Sequence, residues 1–314
     1  MSPRAILSSE ENMRKADGYH IPVMLKESVD ALNIQPNGVY VDVTFGGGGH
    51  SKEILKRLDN GKLIAFDQDP EAVQNKPSDK RFILVESNFR NMNNWLKVHG
   101  AHKVDGILAD LGVSSHQFDT AERGFTIRAD GPLDMRMNHT TGETASQLIA
   151  RCTMEDLAKI LWEFGEVIRP TSVAKRILNA PRMISTSDLI KSVESILPRG
   201  KEHKVLAQIF QALRIAVNNE LESLEALLRQ TTQCLLPEGR LAVISYHSLE
   251  DKMVKNFLRS GNVRDEMQKD FFGNLIRPFD PLPGKPIVPT EIEINQNNRA
   301  RSAKLRVGIR NKNA

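Results

Sequence analysis

The stretch Asp42-Val43-Thr44-Phe45-Gly46-Gly47-Gly48-Gly49-His50-Ser51 decides how this chain is to be read. It follows the β-branched and aromatic run Val39-Tyr40-Val41, which is strand-like, and opens a helical stretch from His50 to about Leu58. Glycine lets the backbone approach a ligand because no Cβ stands in the way, and a helix N-terminus adds unpaired N–H groups and partial positive charge. Two cofactor classes use such a loop, dinucleotides and S-adenosylmethionine. The dinucleotide fingerprint Gly-x-Gly-x-x-Gly fails in both registers, because its last glycine falls on Ser51 or on Lys52. A loop able to hold the amino-acid end of S-adenosylmethionine remains. Taken alone, the run also fits a flexible glycine turn.

Outward from this loop, strands and helices alternate. Lys62–Asp67, Arg81–Val85 and Val104–Asp110 are further apolar strands, and Arg240–Ser245 is a fifth. Their continuous apolar character predicts a doubly wound α/β fold with a mostly parallel sheet, covered on both faces. The rhythm stops between Ala121 and Leu213, where capping patterns at Thr153–Asp156 and Ser185–Ser187 predict helices. The expected division is a core of residues 1–120 and 214–314 with a helical domain, residues 121–213, inserted into it. One long helix is expected from Val205 to Leu235, a helix capped by Ser248–Asp251, loop from 261 to 290, and a closing strand pair at Glu291–Asn295 and Lys304–Arg310.

Acids at the strand ends mark the site. Asp67 stands 21 residues past Gly46, about where a ribose hydroxyl pair is held. Asp69, ahead of Pro70, suits a helix N-cap better. Phe89, after the third strand, could cover an adenine or belong to the core. Asp110 ends the fourth strand, near the topological switch where open α/β sheets bind ligands, and is placed to face both cofactor and substrate. Many amino-group methyltransferases follow this acid with Pro-Pro-aromatic; here Leu111-Gly112-Val113 follows.

Composition sets the outer limits. With 40% hydrophobic and 26% charged residues the chain reads as an ordinary globular protein, and no apolar run has the length of a membrane span. The first twenty residues hold no apolar core of signal-peptide length, so a cytoplasmic protein is expected. Two cysteines, Cys152 and Cys234, make neither a disulfide framework nor a metal cluster, and metal-ligand spacing is absent elsewhere. Nine Lys/Arg against three acids from Arg169 to Arg214, and six cations without an acid from Arg299 to Ala314, suggest a positive face. A solvated helix face with a frayed terminus is the bland alternative.

Six blocks in order then carry a resemblance: His20–Leu25 with the glycine loop, Asp110–Ser115, Arg123-Gly124-Phe125 with Asp130–Met137, Phe210–Arg214, Ile244–Asp251 and Asn298–Ser302. From about Tyr19 to Arg310 the chain resembles the MraW/RsmH family, methyltransferases acting on N4 of a cytosine in 16S rRNA of the small ribosomal subunit near the decoding site. The resemblance implies S-adenosylmethionine contacts at Gly48, Gly49, His50, Asp67, Phe89, Asp110 and Gln117, and an inserted domain that helps hold RNA. His116 stands where this family is expected to have proline, leaving the loop around Gln117 less rigid. The chemistry needs an acceptor for an N4 proton, for which Asp110 is the first candidate and His247 the second. Arg123, Asp134 and Arg136 are expected to face RNA; an Asp134–Arg136 structural pair and a His247 that only anchors its loop are the alternatives. Methyl transfer to DNA or a small amine, and a non-catalytic RNA-binding assembly factor, are the competing functions.

Overall fold

The computed structural model describes residues 22–282 and 285–312, so Tyr19, His20 and Ile21 of the resemblance lie outside the described residues. Alternation within the strands explains the layers. In β1 (Val39–Asp42), β2 (Lys62–Asp67), β4 (Val104–Asp110) and β5 (Leu235–Ser245), one set of side chains, including Val41, Ile64, Ile107 and Val243, enters one buried apolar cluster. Their neighbours Tyr40, Leu63, Leu108 and Ala242 enter a second on the opposite face. A sheet apolar on both faces must be covered on both. The helices α1 (Leu25–Ala31) and α2 (Gly49–Lys56) cover one side, and α3 (Met92–Val98) the other.

With β3 (Phe82–Glu86), β6 (Phe279–Pro281) and β7 (Lys304–Arg310), the strand order is β3-β2-β1-β4-β5-β7-β6. The first five strands pair in parallel, and β7 runs antiparallel to both β5 and β6. This is the doubly wound architecture of S-adenosylmethionine-dependent methyltransferases expected from the sequence. The chain leaves β1 toward β2 on one side, while β4 pairs on the other. The loops after these two strands therefore part and open a crevice at their carboxyl ends.

Between β4 and β5 come α4 (Ser115–Asp119), α5 (Ala145–Arg151), α6 (Met154–Gly165), α7 (Pro170–Leu178), α8 (Thr186–Glu194), α9 (Glu202–Asn218) and α10 (Glu220–Cys234). The helices α5 to α9 gather a third apolar cluster around Leu148, Leu161, Ala174, Leu189 and Ile209. Thr153 and Ser185 cap α6 and α8 by reciprocal capping boxes, as their spacing predicts.

Four expectations need correction. The long helix of 205–235 is two helices: Asn219 adopts the left-handed conformation, φ 48°, and turns the chain between α9 and α10. Its apolar spacing continues on both sides of the break, so periodicity alone hides it. The strand expected at Glu291–Asn295 is the helix α12 (Glu291–Gln296), preceded by α11 (Ser248–Ser260). Thr290 caps α12 by accepting from the Glu293 N–H at 3.2 Å, and β7 instead pairs outward with β6, from the proline-rich segment expected to be loop. The residue capping α11 is His247, not Ser248. Finally, β5 begins at Leu235 and passes through Pro237-Glu238-Gly239 with an irregular register opposite Val104–Gly106.

Because a Cβ at φ 48° is strained, Asn219→Ala is expected to lower the free energy of unfolding by about 1 kcal/mol, whereas Asn219→Gly should not. Urea unfolding of the two variants beside the parent checks this.

Candidate active site

The crevice is a cleft of about 990 Å³, a size that suits a nucleoside cofactor with room beside it. Its floor is tied by side chains from adjacent strand ends. Thr44 Oγ1 accepts from the Asp110 N–H at 2.7 Å, joining the end of β1 to the end of β4. Asp42, buried, accepts from Ser51 Oγ at 2.7 Å and from the Thr44 N–H at 3.1 Å, so the loop is closed onto its own strand. Asp67, at the end of β2, accepts from the Gly46 N–H at 2.7 Å and from the Asp69 N–H at 2.8 Å. It thus braces the glycine loop as well as facing the cleft. Asp69 caps the turn at Pro70–Asn75, as its place before proline suggested.

Three of the four glycines, Gly46, Gly47 and Gly49, line the cleft. Gly48, expected to touch cofactor, is turned away: its N–H donates to the Phe45 carbonyl at 2.7 Å, and a Cβ on it would meet the Phe45 ring. Its φ of 75° is the reason a glycine stands there. His50 lies on the wall, with Nε2 at 3.1 Å from the Val23 carbonyl and Nδ1 at 3.8 Å from Asp110 Oδ2. Phe89 lines the same cleft.

Asp110 is recessed but open to the cleft, with 23% of its side chain exposed. Burial pushes its carboxyl up to about 6; the facing His50 and the hydroxyl of Tyr246 pull the other way, and Asp42 and Glu250 add to the rise. Burial pushes Asp67 to about 6 as well, against the two N–H groups it accepts from. Asp42 is raised by burial too. Two desolvated carboxylates in its wall, Asp67 and Asp110, with Asp42 buried beside them, make this cleft favourable to a cation. A cofactor that carries a sulfonium and an ammonium group, with a ribose and an adenine to place against Asp67 and Phe89, fits that donor set.

The second catalytic candidate is placed differently. His247 caps α11 with Nδ1 accepting from the Glu250 N–H at 3.4 Å, and its Nε2 lies 3.2 Å from Glu250 Oε1. Both ring nitrogens face its own helix, and the side chain is 8% exposed. Glu250 and Glu220 converge with His247, and Arg214 holds both oxygens of Glu220, at 2.8 and 2.9 Å. A guanidinium already supplies the cation this acidic cluster calls for.

The expected RNA-facing residues also change character. Arg123 is 6% exposed and turned inward: it pairs with Asp69 at 2.8 Å and Glu71 at 3.0 Å and donates to the carbonyls of Arg136 and Met137. A guanidinium spent on two carboxylates and two carbonyls does not reach for phosphate. Asp134 and Arg136 form the bidentate pair, 2.7 and 2.9 Å, that was the alternative. Gln117, in the cleft wall, closes a capping box with Ser114 and donates to Asp69 at 2.7 Å. The loop around it is therefore held firmly, with His116 reaching Glu71 at 2.8 Å in place of the expected proline.

Sequence reasoning named the block Ile244–Asp251 but gave no role to Tyr246 or Glu250; it quoted Asp42 without a role and passed over Glu220 altogether. An acid followed nine residues later by serine, Asp42 and Ser51, was the available signal for the first of these; no local pattern marks the others.

A sequence model of the MraW methylase family matches residues 17–311. The chain belongs to the MraW methylase family. Among its relatives is the ribosomal RNA small subunit methyltransferase H of Cytophaga hutchinsonii, 52% identical over 298 residues, which are 93% of this chain and 99% of that protein. The proteins of the same name from Bacteroides fragilis, 52% identical over 92% of this chain and 96% of its own, and Flavobacterium johnsoniae, 50% identical over 92% and 97%, are similar throughout. This methylase is S-adenosylmethionine-dependent. Among the described residues no helix is long and apolar enough to cross a membrane.

The raised carboxyls carry a stability consequence. A carboxyl that titrates near 6 when folded and near 3.8 when unfolded holds its proton more tightly in the folded state, so stability falls as pH rises through that window. Asp110→Asn should therefore stabilise the methylase by on the order of 3 kcal/mol at pH 8 and by far less at pH 4. Denaturant unfolding at the two pH values reads this directly.

Proposed function

We propose that this methylase transfers a methyl group from S-adenosylmethionine to N4 of a cytosine in 16S rRNA of the small ribosomal subunit, near the decoding site, in the cytoplasm. The carrying observation is the Asp110 carboxyl at the mouth of an anionic cleft, with one oxygen committed to Tyr246 and the other 3.8 Å from His50. The names of its relatives direct the reading to small-subunit rRNA.

The backbone of Gly46, Gly47 and Gly49, with His50 behind them, would hold the amino-acid end of the cofactor; Asp67 would hold the ribose and Phe89 cover the adenine. When bound, the cofactor supplies an electrophilic methyl on a sulfonium centre. An exocyclic cytosine amine is a weak nucleophile because its lone pair is delocalised into the ring. Asp110 Oδ2, accepting an N4 hydrogen, localises that pair and takes the proton the amine must lose. His247 serves the reading as an anchor of the loop after β5, since its Nδ1 accepts from the Glu250 N–H. Gln117 and Arg123 brace the wall through Asp69. Gly48 supports the turn.

Residues 121–213 are proposed as a substrate-recognition domain. Eight of the nine cations between Arg169 and Arg214 are exposed, among them Lys175, Arg176, Lys191 and Lys204, and only Arg214 is drawn inside. By contrast, tail cations are spent on the fold: Lys304 and Arg306 pair with Asp251, and Arg310 donates to the Pro278 and Thr232 carbonyls. The Asp134–Arg136 pair, part-exposed, offers one further RNA contact at the lead-in loop. An amine in a helix is shielded by stacking, so single-stranded or splayed RNA is the substrate form.

Radiolabelled S-adenosylmethionine incubated with small subunits and with 16S rRNA should yield N4-methylcytidine at one position. Transfer to DNA or to free nucleosides alone would overturn the assignment. Asp67→Ala should chiefly weaken cofactor binding in calorimetry, and Asp110→Ala should abolish turnover while the cofactor still binds. The double change Lys175→Glu, Arg176→Glu should weaken RNA binding at all sequences and flatten its salt dependence, measured by filter binding between 50 and 200 mM salt, roughly the range over which phosphate contacts are lost.

A further inference from the structure

The two oxygens of Asp110 are not equivalent. Oδ1 accepts from the Tyr246 hydroxyl at 2.7 Å, whereas Oδ2 faces His50 Nδ1 at 3.8 Å. Tyr246 directly follows the neighbouring strand: Ile244 is the register partner of Asp110 in β4–β5 pairing, and Tyr246 stands two residues further on, just past the end of β5. Its ring lies beside the loop after β4, 3.7 Å from where a Cβ on Gly112 would be. An aromatic side chain is thus beside the acid in space although none follows it in sequence.

Tyr246 is itself held from below. Its N–H donates to Glu250 Oε2 at 2.9 Å. Burial works to raise the Glu250 carboxyl, but the facing His247 and Arg214 outweigh it and hold it below the usual carboxylate range. A permanent anion on α11 therefore fixes the turn that carries the ring. The Tyr246 hydroxyl is driven well above the ordinary phenol value, by burial first and the adjacent Asp110 next. It stays a donor at every physiological pH. Around Asp110, Asp42 from β1 and Glu250 from α11 favour the protonated acid, and His50 from α2 and Tyr246 from the turn after β5 favour the ionised one.

Resting on the reading of Asp110 as proton acceptor, we infer that Tyr246 is a positioning residue, which pins Oδ1 so that Oδ2 faces the substrate amine and keeps the carboxyl ionised. Without its hydroxyl the carboxyl is free to rotate about Cβ–Cγ and holds a proton more tightly, so the acceptor is both misaimed and part-filled.

Tyr246→Phe removes one oxygen and leaves the ring. The decisive measurement is a carbon-13 NMR titration of the Asp110 carboxyl in the apo protein, assigned with Asp110→Asn. The parent should titrate near pH 6, and in Tyr246→Phe the carboxyl should bind its proton about tenfold more tightly. Kinetics should show kcat reduced roughly 10- to 100-fold, the acidic limb of the kcat profile moved to higher pH, and KM for S-adenosylmethionine within about twofold of the parent. An unchanged Asp110 titration overturns the inference, as does an unchanged kcat profile. A parent enzyme that methylates no RNA sinks the functional reading instead, while the titration still decides whether Tyr246 governs the Asp110 proton.

Discussion

Three strands that lie side by side, β4, β1 and β2, end in Asp110, Asp42 and Asp67; Asp110 and Asp67 line one crevice with Asp42 buried beside them, and the desolvation of those carboxylates is the constraint on which the rest depends. Each would be ionised freely in water; here burial raises all three. The fold tolerates this because backbone N–H groups and hydroxyls are aimed at them: Gly46 and Asp69 at Asp67, Thr44 and Ser51 at Asp42, Tyr246 at Asp110. The glycine loop is held in shape by the same bonds. A cleft so made has an unfavourable excess of negative charge until a cation enters, which is the property a sulfonium cofactor needs from its protein.

Everything set around the cleft fixes these acids from outside. Arg123 clamps Asp69 and Glu71 together with two carbonyls of the lead-in loop of the helical insert, so the wall of the core and the start of the insert move as one. At the end of α9 Asn218 donates to the Met135 carbonyl at 2.7 Å and accepts from the Met137 N–H at 2.7 Å. One residue later Asn219 turns the chain back toward the sheet. Both connections of the insert thus meet at the same loop, Met135–Met137, beside the cleft. This gives the exposed cations of α7 and α8 a rigid relation to Asp110, which is what a base presented by the insert would require.

Much of this was legible in the sequence, for reasons that can be named. Strands buried on both faces announce themselves as unbroken apolar runs, so β1, β2 and β4 were read, with the acidic ends of β2 and β4 in place. The capping box at Thr153 and the helix start at Ser185 are local and were read from spacing alone. Roles that depend on a distant partner were not legible. Arg123 looked like a loop cation because Asp69 and Glu71 are more than fifty residues away. Tyr246 went unnoticed because its partner sits 136 residues earlier. The alternating Glu-Ile-Glu-Ile of 291–294 suits a strand by pattern, and only the threonine cap and the side chain of Glu293, accepting from the Met24 N–H at 2.6 Å, make it a helix. A single left-handed residue, Asn219, leaves no mark on hydrophobic periodicity.

Hydrogen–deuterium exchange with and without S-adenosylhomocysteine locates the bound cofactor without assuming any residue's role. Slowed exchange is expected only in the glycine loop Thr44–Ser51, at the ends of β2 and β3, and over Asp110–Ser115. Slowing centred instead among the helices α5 to α8, or none at saturating ligand, would contradict this placement.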